Sequence, residues 1–216
     1  MIRVSKSSSI PATLTTTQTY NGEDVKKQLL QDHHDKCYIC ERVRGTDFEI
    51  EHHQSEKYHP ELIQEWNNLF LSCRYCNGKK LQHFDNTLNP LTVDIEKEIE
   101  QTIDFANKKA VFAIPGHSTT THDETIKLLD RVFNGTHKLR KIKEERFFEY
   151  FISVMNRFQA LVGLYLKTST PQNEKAVRDE LGIDKEFLGF KYWVIKSNTI
   201  LVSVFADDII WNKSNK

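Results

Sequence analysis

CYIC at residues 37–40 and CRYC at residues 73–76 decide how this chain is read. All four of its cysteines fall in these two Cys-x-x-Cys pairs, and 32 residues separate the pairs. A thioredoxin-like redox site needs only one such pair, so a matched second pair points to a metal. In a reducing compartment the same arithmetic favours zinc over disulfides. Four thiolates complete a tetrahedral zinc and leave no position for water. The expected Zn²⁺ on Cys37, Cys40, Cys73 and Cys76 is therefore structural, and any chemistry must come from the residues it frames.

Outward from the pairs, FEIE at 48–51 alternates as a strand does, and His52 follows it directly. LFLS at 69–72 reads as a second, apolar strand, and the run from Cys73 through Leu81 reads as the start of a helix. A strand–strand–helix unit of this shape brings the end of the first strand beside the helix. That sets Glu51 and His52 near Asn77. A carboxylate and an amide oxygen are hard ligands suited to Mg²⁺, and a neutral imidazole beside them is suited to take a proton from water. The segment has little apolar content for its size, and small modules rarely fold without a staple. Structural zinc contributes on the order of 10 kcal/mol in such modules.

The rest of the chain divides around this unit. Residues 1–36 read as an extended polar segment and a short helix over 23–34. Residues 37–89 hold the zinc-stapled module, and 90–216 a β-hairpin plus a helical region. QTIDF and AVFAI, with NKK between them, form the hairpin. THDE at 121–124 has the form of a capping box after a loop, opening a helix that Asn134–Gly135 closes. Apolar residues recur at helical spacing from His137 to about Lys167, with Leu139 and Ile142 counted on the inner face. Thr170–Pro171 opens the next helix, which Gly182 ends. A further helix spans about 185–196, and 199–210 is divided between helix and strand, with helix preferred. The fold class is α+β, mainly α.

The chain has 30 basic and 30 acidic residues, so its net charge is zero and any nucleic-acid binding must use a local patch. Its longest apolar runs fall far short of the roughly 18 residues of a membrane span, and no signal peptide is apparent. A cytoplasmic protein is expected. HKLRKIKEER at 137–146 is the densest basic stretch, read as the solvated face of a long helix, with nucleic-acid contact the lesser alternative. His33 and His34 read as helix-end or surface residues.

EIEHH followed by NNLFLSCRYCNGKK resembles the HNH nuclease superfamily, in the branch whose cysteine pairs frame the motif. The resemblance implies a metal-dependent endonuclease with His52 as general base. Glu51 and Asn77 would hold a catalytic Mg²⁺ or Mn²⁺, and Asn68 would brace the loop carrying His52. Lys80 would contact a backbone phosphate, with Lys79 beside it on the nucleic acid. The Pro that often follows the catalytic His is absent here, which leaves His53 as a competitor for the base role and His59 as a remote one. WNNLFLSCRYCN and the later HDETIKLLDRVFNGTHKLRKIKEERFFEYF extend the likeness to the PtuB-type HNH subunits of Septu and retron anti-phage systems. By that likeness the partner is a PtuA-type SMC/ABC-like ATPase, and a retron reverse transcriptase with its msDNA is a further one. DNA is the favoured substrate and RNA or tRNA the alternative. A stand-alone restriction-like nuclease and a catalytically silent zinc module are the competing readings.

Overall fold

The computed structural model describes residues 1–43, 46–137 and 139–211; Lys138 of the basic stretch and positions 212–216 of the C-terminal region lie outside these. In chain order the elements are α1 (Ala12–Thr16), α2 (Glu23–Asp32), β1 (Phe48–His52), β2 (Leu69–Cys73), α3 (Arg74–Lys80), α4 (Ile95–Glu98), β3 (Glu100–Asp104) and β4 (Lys109–Ala113). Five more helices follow: α5 (Thr120–Phe133), α6 (Ile142–Lys167), α7 (Pro171–Glu180), α8 (Leu188–Lys196) and α9 (Thr199–Phe205). The fold is mainly helical, with two antiparallel hairpins, β1–β2 and β3–β4.

Every residue of β2 is buried, because both of its faces are covered. Leu69 and Leu71 point into a small core with Leu14, Val25, Leu29 and Trp66 from the N-terminal helices and the adjoining loop. Phe70, on the opposite face, joins the main core. The segment before residue 21 is thus more than an extended drape: Met1 and Ile2 are buried, and α1 supplies Leu14.

The main core is continuous from the cysteine cluster to α9. Its centre is aromatic. Phe151 packs against Phe133, Phe187 and Phe190 with ring centroids 4.6–5.0 Å apart, in the edge-on and tilted geometries that the ring quadrupole favours. Truncating a fully buried Phe in such a cluster costs about 3–5 kcal/mol. Phe151→Ala should lower the urea midpoint by that free energy divided by the m-value, with m unchanged.

Three helix starts differ from the sequence reading. α5 begins at Thr120, so Thr121 lies inside the helix and is no cap; its carbonyl accepts from Thr125 Oγ1 at 2.7 Å. α6 begins at Ile142 and not at His137. Its true box residue is Glu144, whose Oε2 accepts the Lys141 N–H at 2.8 Å. Gly135 makes the preceding turn at φ +85°, where a Cβ would strike the Glu144 carboxylate at 2.6 Å. Leu139 and Ile142 therefore fall before or at the helix start and are 84% and 81% exposed, not core. α8 likewise starts at Leu188, three residues after Lys185.

α7 opens as expected, with Thr170 Oγ1 accepting from Asn173 N at 3.2 Å and Pro171 in the first turn. Residues 199–205 are helical because Asn198 caps them, its Oδ1 accepting from Ile200 N and Leu201 N. No helix among the described residues is long and apolar enough to cross a membrane.

Candidate active site and metal centre

Cys37 and Cys40 sit in a tight turn closed by Glu41 N donating to Cys37 O at 2.8 Å and Cys37 N donating to Arg42 O at 3.0 Å. Cys73 ends β2, and Cys76 lies in the first turn of α3. The four sulfurs lie within 4.8 Å of one another and all four residues are buried. Cys40 Sγ and Cys73 Sγ are 3.9 Å apart, close to the roughly 3.8 Å separation of two thiolates on one tetrahedral zinc with Zn–S near 2.3 Å. Burial pushes the Cys40 and Cys76 thiols well above their ordinary range, so these sulfurs need a cation to carry thiolate charge. The cluster can bind one metal ion, and its donor set fits zinc.

The turn is locked to the rest of the molecule through Glu41. Its buried carboxylate accepts from Leu188 N at 2.7 Å and Gly189 N at 3.1 Å, at the N-terminus of α8, and pairs with the Met1 amino group. On the other side Tyr75 donates to Val132 O at 2.8 Å and stacks on Phe147 at 4.8 Å. The metal turn and α3 are therefore held from two directions by the C-terminal helices.

Glu51, His52 and Asn77 line one polar cleft of about 310 Å³, together with Tyr20, Lys57 and Gln82. His52 closes β1, and its Nε2 lies 3.1 Å from Ile63 O. With Nε2–H donating to that carbonyl, Nδ1 is the unprotonated acceptor. The Tyr20 ring meets the imidazole edge-on at 4.8 Å. Asn77 Nδ2 donates to Glu49 Oε2 at 2.6 Å, which leaves the amide oxygen for another partner.

His53 lies elsewhere. Its ring is within 3.1 Å of Thr87 Oγ1 and lines a separate cavity with Asn68 and Asp85. Burial, with the nearby Lys80 charge, pushes its pKa down to about 4. His59 pairs loosely with Glu61 at 3.3 Å and does not line the Glu51 cleft. Asn68 Oδ1 accepts from Gln54 N at 2.8 Å, and its Nδ2 donates to Gln54 O and Leu62 O. It thereby ties the loop after His52 to the segment entering β2.

Lys80 is a correction. The resemblance put it on a phosphate, but its side chain is fully buried. Its Nζ donates to His52 O at 2.9 Å and pairs with Glu51 Oε1 at 2.9 Å, so it supports the end of β1 from within. Burial pushes the Glu51 carboxyl up to about 7 against the opposing pull of Lys80. Removing one partner of a buried pair leaves the other charge uncompensated, at a cost of about 3–5 kcal/mol. Lys80→Ala should show that loss in chemical denaturation. Lys79 is also engaged, in an ion pair with Glu144. His33 is not a surface residue: it is buried between Leu29 O, at 2.9 Å, and Leu71 N, and burial pushes its pKa down to about 3.

Two supporting residues escaped the sequence reading. Glu49, which holds Asn77, was legible, since strand alternation puts it on the face of Glu51. Tyr20 carried no signal, because it reaches His52 from outside the motif.

Residues 37–82 match the family model described as HNH endonuclease. Septu protein PtuB of Bacillus thuringiensis is 36% identical over 95 residues, a stretch covering 38% of this chain and 37% of that protein. The match therefore spans little more than a third of either chain. The cysteine cluster, the β1–β2–α3 unit and the cleft beside it all lie on or against the matched residues. The chain carries an HNH endonuclease domain over residues 37–82, and it resembles Septu protein PtuB.

Proposed function

We propose that this protein is a metal-dependent endonuclease that hydrolyses phosphodiester bonds of nucleic acid, with DNA favoured over RNA or tRNA. The observation that carries the reading is the convergence of Glu51, His52 and Asn77 on one cleft beside the four-cysteine cluster. His52 is the general base: its Nε2 is engaged by Ile63 O, so Nδ1 receives the proton of the attacking water. Glu51 and Asn77 offer hard oxygen donors for a catalytic Mg²⁺ or Mn²⁺. Such an ion supplies charge stabilisation to the transition state and the leaving oxygen. Glu49 orients Asn77 so that its oxygen is the atom presented, and Lys80 fixes the Glu51 carboxylate and the His52 carbonyl. His53 is left to a structural role.

In this reading the cysteine cluster holds a separate Zn²⁺ and takes no part in the reaction, because four thiolates leave no open position. Residues 37–89 act as the nuclease module and 90–216 as the partner-facing region. The likeness to a Septu protein supports an anti-phage role alongside a PtuA-type ATPase, and a retron reverse transcriptase with its msDNA is a further candidate partner. The test is direct: the protein, alone and with whatever ATPase co-purifies, is assayed against DNA, bulk RNA and tRNA with Mg²⁺ or Mn²⁺. The His52→Ala variant is the control. Cutting that persists in His52→Ala would exclude this site.

A further inference from the structure

The basic stretch 137–146 is only in part a solvated helix face: residues up to Lys141 precede α6, and Lys143 lies in its first turn. The stretch turns back onto α3, where Arg74 and Lys79 meet Arg140, Lys141 and Lys143 around an open groove of about 710 Å³. Among the described residues the one carboxylate lining that groove is Glu144, and its charge is already paired with Lys79. Among the described residues Arg140, Lys141 and Lys143 have no carboxylate at ion-pair distance. Arg74 is paired with Glu49 and Lys79 with Glu144, and Glu145 and Asp130 act on Arg140, so the cations left for an anionic ligand are Lys141 and Lys143 at the start of α6.

Three features show the groove to be shaped for a backbone. The Arg140 guanidinium is held in place, stacked 3.6 Å over Phe148 and donating to Lys108 O at 2.8 Å, while its buried Nε has no partner. Gly78 lies mid-helix in α3, where glycine costs about 1 kcal/mol relative to alanine, yet a Cβ there would meet nothing within 4 Å. No internal packing explains that glycine, and it keeps the groove floor low. Ile142, strongly exposed between Lys141 and Lys143, offers apolar surface to a sugar or base.

The groove and the candidate active site share one wall. Asn77 lines the cleft and Gly78 the groove, on two sides of α3. Glu49 bridges both sides, accepting from Asn77 and pairing with Arg74 at 3.3 Å. A helix with its side chains is about 10–12 Å across, roughly three nucleotide steps at 3.4 Å per step. We propose that the groove between α3 and the start of α6 binds the phosphate backbone of the nucleic acid being cut, a few nucleotides from the scissile bond. This rests on the nuclease reading above and adds the path of the strand.

The experiment uses the full-length protein with His52→Ala, so that probes survive. Affinity for a fluorescein-labelled duplex and its single strands is followed by anisotropy over a salt series. Adding Lys141→Gln and Lys143→Gln, both at exposed positions, should make the slope of log K against log salt shallower by about 1.4–1.8, and weaken binding at low salt by at least about tenfold. Gly78→Leu should weaken binding by filling the groove without altering its charge. Circular dichroism and metal content should match the parent in both cases.

An unchanged slope and affinity in the lysine variants, while the His52-intact protein still cuts, overturns the groove and leaves the nuclease reading standing. Lost binding in the variants of a protein that cuts nothing supports the groove and removes the nuclease reading. A parent that neither binds nor cuts overturns both. Variants that bind nucleic acid normally but lose a co-purifying ATPase make the groove a protein interface, which also overturns the proposal.

Discussion

Cys73→Ser should cost the protein both its metal and its fold. Cys73 is the last residue of β2 and the N-cap of α3, where its sulfur accepts from Cys76 N at 3.5 Å. It is buried against three other sulfurs, so a serine hydroxyl there is a poor zinc ligand placed in an apolar setting. Structural zinc is worth about 10–16 kcal/mol in small modules, against a total of about 5–15 kcal/mol for a typical domain. Loss of the ion therefore exceeds what the rest of the core can absorb. Metal content by mass spectrometry should fall to background. Near-ultraviolet circular dichroism should lose its aromatic bands, since the same core holds Phe70, Tyr75 and Phe147. A strong chelator should do the same to the unaltered chain. A soluble, folded, metal-free Cys73→Ser protein would contradict the structural role of the cluster.

His52→Ala and His53→Ala should separate by two orders of magnitude or more in cleavage. A positioned general base contributes about 10²–10⁴-fold, and His52 alone of the two histidines lines the Glu51–Asn77 cleft. Its removal frees the carbonyl of half-buried Ile63, where water can replace the lost donor, so metal content should hold, and cleavage is compared per folded molecule. His53→Ala instead opens a space against Phe70 and Thr87. Its effect belongs in stability, with cleavage per folded molecule close to that of the parent. Activity that survives His52→Ala and vanishes in His53→Ala would reverse the assignment.

The hairpin, the helix after it and the cysteine cluster were legible because their signals are local: alternation in FEIE, an apolar LFLS, paired spacing. So was the meeting of Glu51, His52 and Asn77, which follows from one strand–strand–helix unit. Lys80 was misread although the signal was present. Cys73, Cys76 and Lys80 stand at i, i+3 and i+7, so the lysine shares the inward face of the cysteines. The run NGKK looks solvated only when that periodicity is ignored. Leu139 and Ile142 misled for the opposite reason. Helical spacing continues on paper through Leu139, which the Gly135 turn and the Glu144 box leave outside the helix, and Ile142, which opens the helix on its exposed side. The cap at Thr121 failed because a Thr-x-x-Glu pattern also occurs inside helices, and the chain had turned helical one residue earlier. Partnerships such as Tyr20 with His52 join distant segments through packing, and no local pattern announces them.

β2 has no solvent face, since its side chains alternate between two cores. Peeling α1 and α2 away would bare Leu69 and Leu71, and loosening the cysteine turn would bare Phe70, which packs on Tyr38 at 4.8 Å. Neither layer can breathe without unsettling the strand that the other also needs. The amides of β2 should thus open only with the whole molecule and exchange among the slowest in it, which makes the strand behind His52 the stillest part of a site whose substrate must come and go.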